Sequence, residues 1–364
     1  MKDKIELSII IPTFNESNNI SIIVTHLIKV LEKYKYEIII VDDNSDDNTW
    51  KVVDEKFKTH PNIYCFRRIR HKGLSSAIVD GFMLSKGENL VVVDADLQHD
   101  VNVIPKMLKK IKENYDIVIG SRYTNNKKVE DWNFFRRSLS LLGTKMSYLI
   151  QDSLTTDPLS GFFLIKKKVF LSVVNSMDIK GYKILLDILA SLNKNYNYKI
   201  IDIPYEFQER KYGKSKLDGQ VLLESIELIY SKLFGNFIPV NFAKFITVGS
   251  FGALLHFTIL FFLFKYFRYS YSISLITSIE ISIFFNYFFN NIWTFRFSTI
   301  LGFENLKGIL KFNILSGIGG LIAYLISINL FNLGFNWILS SFLGAFVASL
   351  WNYNLNRILT WKAI

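Results

Sequence analysis

Short, uninterrupted apolar runs alternate with segments of helical spacing over the first 123 residues. Such runs of about four to eight residues are typical of parallel strands buried on both faces, and apolar residues every three or four positions predict helices. The strand segments are 8–12, 36–45, 63–68, 89–99 and 116–123, and the helical segments are 17–34, 49–57, 74–85 and 103–113. This alternation predicts a three-layer α/β domain with a mostly parallel, Rossmann-like sheet.

The pattern changes after residue 240, where charged residues become rare. Residues 245–264 contain no Asp, Glu, Lys or Arg, residues 269–295 contain only Glu280, and residues 312–356 contain none. A membrane-spanning helix needs about 20 apolar residues. The sequence therefore predicts four transmembrane helices, at about 244–265, 271–294, 311–332 and 337–358. A large buried helical core is the alternative, but soluble helices normally carry a polar stripe.

The predicted spans form an internal repeat. The segments 285–295 and 351–361 share Asn, Tyr, Asn, Ile and Thr at five of 11 positions. Two repeated hairpins predict a parallel repeat with the same orientation. A soluble domain before the first span favours a cytoplasmic N-terminus, and five basic residues then lie inside, as the positive-inside rule expects, against two outside. The inner ones are Arg296, Lys307, Lys311, Arg357 and Lys362, and the outer ones are Lys265 and Arg268.

Composition supports this division of the chain. The net charge is +11, yet residues 241–364 hold only eight basic and two acidic side chains. The surplus near the membrane ends suits anionic lipid headgroups, so we expect no nucleic-acid partner. One cysteine excludes a disulfide framework or a cysteine-rich zinc site. The predicted domains are a cytoplasmic catalytic domain, 1–216, amphipathic interfacial helices, 217–240, and a transmembrane domain, 241–364.

The helix predicted at 217–234 has two possible positions. Leu222, Ile226, Ile229 and Leu233 lie on one face, which favours a helix lying on the membrane surface. A linker helix packed on the soluble domain is the alternative.

Polar side chains end three of the predicted strands. They are Asn15 and Glu16, Asp42 and Asp43, and Asp94 and Asp96. Ligands bind outside the carboxyl ends of strands in such sheets, so three polar ends predict a site. The chain has no glycine-rich dinucleotide fingerprint after its first strand and no P-loop.

Asp94-Ala95-Asp96 gives the most specific chemical signal. Two carboxylates at a strand end can approach one hard divalent ion, and Gln98 can add a neutral oxygen. Mg²⁺ and Mn²⁺ prefer oxygen ligands and join protein carboxylates to substrate phosphates. The sequence thus predicts a Mg²⁺ or Mn²⁺ site at Asp94, Asp96 and Gln98. Downstream basic residues suit phosphate oxygens; they include Arg122, Arg136, Arg137, Arg210, Lys211, Lys214 and Lys216.

In this order, the motifs PTFNE, VDDNS, DADLQH, GSRY, SGFF and GKSKL resemble those of polyprenyl-phosphate (dolichol-phosphate) mannose synthases. These are inverting family 2 glycosyltransferases of the GT-A fold. The resemblance covers about residues 5–235, and the tail resembles the four-helix GtrA-like domain fused to some prokaryotic members. Two departures are Asp100, where the family usually has proline after DADLQH, and the missing proline in the loop after Asp43.

The resemblance implies roles for individual residues. Pro12, Phe14 and Glu16 would line the nucleotide pocket with Asp43, Asp94, Arg210 and Lys216, and Asp94, Asp96 and Gln98 would hold the metal. Arg122, Arg136 and Ser140 would bind the acceptor phosphate, and Asp96, Arg122 and Arg136 would serve catalysis.

The implied reaction transfers a hexose, in this family mannose from GDP-mannose, to polyprenyl (dolichyl) phosphate at a prokaryotic plasma membrane. An anionic lipid phosphate needs no general base, so His99, the nearest candidate base, is interpreted as structural. The alternatives are a glucose synthase that uses UDP-glucose and, from another class, a lipid-sugar transporter with a nucleotide-binding module. Glu280 within a span is either functional or a paired group that joins helices.

Overall fold

A computed structural model describes residues 4–69, 73–123, 144–150, 155–179, 181–208, 219–235, 237–296, 299–300 and 302–360. The chain divides into two compact units, Met1–Leu233 and Phe234–Ile364, which are considered separately.

The first unit is built on a seven-stranded sheet with the order β3-β2-β1-β4-β6-β5-β7. All paired strands are parallel except β6, which is antiparallel to both β4 and β5. The strands are Leu7–Thr13 (β1), Tyr36–Asp42 (β2), Ile63–Arg67 (β3), Asn89–Val92 (β4), Ile117–Ser121 (β5), Phe163–Lys166 (β6) and Ile200–Pro204 (β7). The first five strands confirm the sequence prediction, whereas β6 and β7 were not predicted.

Helices cover both faces of this sheet. In the first unit they are Ser17–Val30 (α1), Thr49–Phe57 (α2), Leu74–Leu84 (α3), Ile104–Lys112 (α4), Lys167–Val173 (α5), Ile184–Ser191 (α6) and Gly219–Phe234 (α7). Ile9 and Ile11 of β1 lie in one core cluster with α1, α2 and α4, and Ile10 lies in another with α3, α5 and α6. Because successive side chains of a strand point to opposite faces, a strand covered on both sides is apolar throughout. The predicted three-layer architecture is confirmed.

Helix α7 packs on the first unit. Leu228 contributes to a small core with Leu159 and Leu186, and the Lys232 ammonium lies 2.8 Å from the buried Asp187 carboxylate. Ile226 and Leu233, which the sequence assigned to the apolar face, are 38% and 41% exposed. The contacts therefore favour the packed-helix alternative, and a position on a membrane surface stays a prediction.

The second unit is helical. Its helices are Val240–Phe261 (α8), Tyr271–Phe289 (α9), Phe303–Asn332 (α10) and Trp337–Leu359 (α11), and π-helical turns at Phe262–Tyr266 and Asn290–Thr294 extend the first two. Among the described residues, three segments are long and apolar enough to cross a membrane: Val240–Tyr266, Tyr271–Thr294 and Asn305–Asn332. The fourth predicted span coincides with α11, and its crossing of the membrane stays a prediction.

In this unit many large apolar side chains are exposed and many polar side chains are buried, which is the reverse of a soluble helical bundle. Large apolar side chains such as Phe251, Phe284 and Leu321 are more than half exposed. Serine and asparagine side chains lie inside; they include Ser274, Ser278, Ser282, Asn290, Ser316 and Ser341. An apolar exterior around a hydrogen-bonding interior matches a lipid environment.

The predicted repeat has a structural counterpart. A Cβ added at Gly252 would lie 2.3 Å from Asn286 Oδ1, and one at Gly319 would lie 2.5 Å from Asn352 Oδ1. Asn286 and Asn352 are the matching asparagines of the two repeated segments. Each repeat therefore brings an asparagine against a glycine of the preceding helix, where the missing side chain permits close packing.

Glu280 lies on the exterior of α9, where it is exposed. Among the described residues it forms no hydrogen bond or ion pair. The alternative of a carboxyl group that joins helices within this unit is therefore wrong for the described part of the chain.

Candidate active site

The loop after β4 carries the predicted metal ligands. The Val93 amide donates to the Ile10 carbonyl at 3.0 Å and so fixes the start of this loop against β1. Asp96 is 7% exposed, and its Oδ1 accepts a 3.1 Å hydrogen bond from the Gln98 amide. Leu97 between them has a φ of +66°, which is unusual for a bulky residue and is often found at functional loops. The turn brings Gln98 back beside Asp96.

Gln98 presents its oxygen rather than its nitrogen for coordination. The side-chain Nε2 donates a hydrogen bond to the Gln208 carbonyl at 3.2 Å. The other polar atom of the amide, Oε1, is the one that can coordinate a cation. This orientation agrees with the predicted role of Gln98 as a neutral oxygen ligand.

His99 supports Asp94 on two sides. Its Nδ1 accepts a 3.1 Å hydrogen bond from the Asp94 amide, and its Nε2 lies 3.5 Å from Asp94 Oδ2. The ring is buried and stacks on Phe162, with 5.0 Å between the centroids. Because Nδ1 accepts, a neutral ring carries its proton on Nε2, facing the carboxylate. His99 is therefore placed to orient Asp94, as interpreted from the sequence.

Arg122 is held by an acid that the sequence did not reveal. Its Nε and Nη2 each lie 2.7 Å from an oxygen of Asp157, and the Asp157 side chain is fully buried. Burial alone would lower the pKa of Arg122, but the charge and hydrogen bonds of Asp157 raise it above its usual value. Arg122 is thus a charged, rigidly oriented side chain at the end of β5.

Asp42 and Asp43 have different surroundings at the end of β2. Asp42 is fully buried and accepts hydrogen bonds from Thr13 Oγ1 at 2.9 Å and from Ser45 Oγ at 2.6 Å, so it ties the first two strand ends together. Asp43 Oδ1 accepts from Arg68 Nε at 2.6 Å, and Asp43 Oδ2 accepts from the Gly73 amide at 2.7 Å. Arg68, which is 5% exposed, was also missed by sequence reasoning.

The other predicted nucleotide ligands begin at the end of β1. Pro12 is buried within β1, and Phe14 follows the strand. Glu16 precedes α1, where its amide donates to Thr49 Oγ1 at 2.9 Å and its Oε2 accepts from Asn19 at 2.7 Å. These residues share the carboxyl edge of the sheet with Asp43, Asp94 and Asp96 because β1, β2 and β4 are parallel neighbours. Arg136, Ser140, Arg210 and Lys216 lie outside the described residues.

Two family models match separate parts of the chain. One, glycosyl transferase family 2, matches residues 8–173, and the other, the GtrA/DPMS transmembrane domain, matches residues 244–361. A dolichol-phosphate mannosyltransferase from Pyrococcus furiosus is 35% identical over 98% of this chain and 99% of its own length. The chain belongs to the dolichol-phosphate mannosyltransferase family. The Saccharomyces cerevisiae dolichol-phosphate mannosyltransferase is 34% identical over 68% of this chain and 94% of its own length.

Family membership confirms the resemblance found in the sequence and establishes the chain as a membrane-embedded glycosyltransferase. The predicted fold is also confirmed. Glucosyl-3-phosphoglycerate synthase from Mycobacterium tuberculosis, solved with Mn²⁺, UDP and phosphoglyceric acid, is 15% identical, with a TM-score of 0.50. The match covers 64% of this chain and 79% of that one, and it shows that this member of the dolichol-phosphate mannosyltransferase family shares the fold of that enzyme.

The donor set of the β4 loop fits a hard divalent cation. Asp94, Asp96 and Gln98 offer two carboxylates and one amide oxygen. Within the described ranges, no group of three His, Cys, Asp or Glu side chains could hold a metal ion without other ligands. Mg²⁺ and Mn²⁺ are commonly held by one or two carboxylates together with substrate phosphates, so the loop suits an ion that arrives with a nucleotide.

The two missed residues differ in how visible they are in the sequence. Asp157 stands three residues before SGFF, one of the motifs that carry the resemblance. Arg68 directly follows the edge strand β3, among basic residues that resemble a solvated surface. The Arg68 side chain is buried because β2 lies beside β3. This pairing cannot be read from the sequence around Arg68.

Proposed function

We propose that the chain transfers mannose from GDP-mannose to a polyprenyl (dolichyl) phosphate, with inversion at the anomeric carbon. The main support is the 35% identity to a dolichol-phosphate mannosyltransferase across nearly the full length of both chains. The glucose synthase alternative is not favoured, because the curated relatives carry mannosyltransferase names. A catalytic domain of family 2 also disfavours a transporter with only a binding module.

In this proposal Asp94, Asp96 and Gln98 hold Mg²⁺ or Mn²⁺. The ion supplies positive charge that stabilises the departing nucleoside diphosphate. His99 keeps the Asp94 carboxylate oriented through its contacts with the Asp94 amide and Oδ2. Pro12, Phe14, Glu16, Asp43, Arg210 and Lys216 form the nucleotide pocket.

An acceptor phosphate oxygen attacks the anomeric carbon while the bond to the diphosphate breaks on the opposite side. A phosphate monoester is anionic near neutral pH, because its second pKa is about 6, so no general base is required. Arg122, held by Asp157, joins Arg136 and Ser140 around the acceptor phosphate. Positively charged side chains that are already held in position allow two anionic substrates to approach each other, because these side chains need not rearrange during the reaction.

We further propose the domain arrangement expected from the sequence. The catalytic domain, 1–216, faces the cytoplasm of a prokaryotic cell, and the helices of 241–364 hold it at the bilayer in which the acceptor resides. The excess of basic residues beside the predicted inner ends of the spans supports this orientation.

A panel of nucleotide sugars tests the proposal directly. The purified full-length protein is mixed with one polyprenyl phosphate and with GDP-mannose, UDP-glucose or another donor, with Mn²⁺, with Mg²⁺ or with EDTA. We expect release of GDP and a mannose-bearing lipid, both lost in EDTA. A preference for UDP-glucose would show that the enzyme uses this donor instead of GDP-mannose. Absence of transfer from every donor would reject the proposed function.

A further inference from the structure

The segment that leads from Asp157 to β6, residues 157–162, lies against the predicted metal loop. A Cβ added at Gly161 would lie 3.0 Å from Asp94 Oδ2 and 3.6 Å from His99 Cε1. Phe162, the next residue, stacks on the buried His99 ring, with 5.0 Å between the centroids. The 157–162 segment therefore borders the Asp94 carboxylate directly and also supports the histidine that contacts it.

Space, rather than backbone conformation, calls for glycine at position 161. The φ of Gly161 lies outside the left-handed region, so other residues can adopt this backbone. A methyl group there would approach Asp94 Oδ2 more closely than side chains normally do, and the carboxylate would have to shift by a few tenths of an ångström. Because Mg²⁺ requires nearly ideal octahedral geometry, a shift of one ligand oxygen should weaken its binding.

The residues on either side of Gly161 are anchored to β5, so the segment is held in place. Ser160 Oγ donates to the Gly120 carbonyl at 2.7 Å and accepts from the Phe162 amide at 3.2 Å. The Gly120 amide donates to the Phe162 carbonyl at 2.8 Å, and a Cβ at Gly120 would lie 2.6 Å from Phe162 Cδ1. Ser160 and Phe162 are both buried. A side chain at position 161 would therefore displace the Asp94 carboxylate more readily than this segment.

We propose that the 157–162 segment is a positioning element of the metal site, in which Gly161 keeps the Asp94 carboxylate where it would hold the cation. This inference rests on the proposed function, which assigns a cation to the β4 loop. The same segment begins at Asp157, whose carboxylate holds Arg122 through two contacts of 2.7 Å. One short segment thus positions a predicted metal ligand at one end and an active-site arginine at the other.

The experiment compares full-length wild type with Gly161→Ala and Gly81→Ala. Gly81 on α3 is the matched control, because its added Cβ would lie 2.6 Å from Ile10 Cγ2 in the core and not beside a site residue. Mn²⁺ binding in the presence of GDP is followed by electron paramagnetic resonance, and the thermal unfolding midpoint is measured without metal. We expect Gly161→Ala to weaken Mn²⁺ binding about 10-fold, as for other altered contacts behind a metal ligand. Gly81→Ala should lower the unfolding midpoint and leave Mn²⁺ affinity unchanged.

The Mn²⁺ affinities decide the inference without any measurement of sugar transfer. An unchanged Mn²⁺ affinity in Gly161→Ala would overturn it. An equal loss in Gly81→Ala would also overturn it, since a general loosening of the fold would then be the cause. If Gly161→Ala does not fold, Ser160→Ala decides, because it removes the anchor on Gly120 without adding an atom. Ser160→Ala should also weaken Mn²⁺ binding, and wild-type affinity in this variant would overturn the inference.

The proposed function is tested separately by sugar transfer. A wild type that binds Mn²⁺ with GDP but transfers no sugar from any donor would reject the proposed function and leave the positioning role of the segment intact. A wild type that transfers mannose but binds no Mn²⁺ with GDP would overturn the inference alone.

Discussion

The aspartates at the carboxyl edge of the sheet have different roles, although their side chains are chemically identical. Asp42 and Asp43 are adjacent, yet one joins two strand ends and the other pairs with Arg68. Asp94 and Asp96, which contact His99 and the Gln98 amide, are the acids predicted to bind the cation. Burial and partners, rather than residue type, therefore decide which carboxylates are structural.

Asp96→Ala is expected to abolish transfer without unfolding the protein. The substitution removes one of the two proposed carboxylate ligands, while Val93 and Ala95 keep the loop packed in the core. Product formation and Mn²⁺-dependent nucleotide binding should both be lost, and the thermal unfolding midpoint should change little. Asp100→Ala, at a partly exposed acid in the same loop, is the matched control. Retained turnover in Asp96→Ala would remove the proposed metal role.

Asp157→Asn is expected to destabilise the first unit by about 3 kcal/mol, the cost of leaving a buried charge without its partner. Both Arg122 contacts of 2.7 Å end on Asp157, and asparagine cannot supply the compensating charge. Chemical unfolding and transfer rates are measured together, because a loosened Arg122 should also weaken acceptor binding. Asp54→Asn, on the exposed side of α2, should change neither quantity. Wild-type stability in Asp157→Asn would show that the pair contributes nothing.

At the scale of elements, the local sequence pattern predicted the strands that carry their own apolar run, but not the pairings between distant residues. Strands β1, β2 and β4 are buried along their whole length and each contains a continuous apolar run, which was sufficient to identify them. Strand β6 carries the equally apolar Phe163-Leu164-Ile165, but its place between β4 and β5 in the antiparallel direction depends on pairings with distant residues. The Arg122–Asp157 pair spans 35 residues and was missed for the same reason.

The repeated glycine–asparagine contacts offer an element-scale prediction. Gly252→Ala would place a Cβ 2.3 Å from Asn286 Oδ1, so α8 and α9 must separate or repack, at a cost of about 1–3 kcal/mol. Gly249 lies on the same helix with nothing within 4 Å of its added Cβ. Gly249→Ala should therefore be neutral or slightly stabilising, because alanine favours helix. Thermal unfolding in detergent compares the two, and equal effects would mean that the contact is unimportant.

For the whole molecule, the sequence predicted two solvent classes from charge alone, divided near residue 240. The structure has two compact units, Met1–Leu233 and Phe234–Ile364. The number of strands, the antiparallel insertion and the partners of Arg68 and Arg122 required the fold. Composition is set by solvent, whereas the pairing of distant residues is set by topology. Sequence motifs therefore located the predicted metal loop but could not identify the acids that hold the Arg68 and Arg122 side chains in place.

The division into units predicts the behaviour of a chain that lacks residues 241–364. Helix α7 remains in this truncation with its Lys232–Asp187 ion pair and its Leu228 contacts, and every described metal-loop contact lies within the first unit. We expect it to bind GDP with Mn²⁺ as the full chain does and to transfer mannose to a short-chain prenyl phosphate in detergent. Transfer to long-chain acceptor in vesicles should be lost, because the membrane anchor is gone. A truncation that binds GDP but transfers to neither acceptor would show that the membrane helices complete the acceptor site.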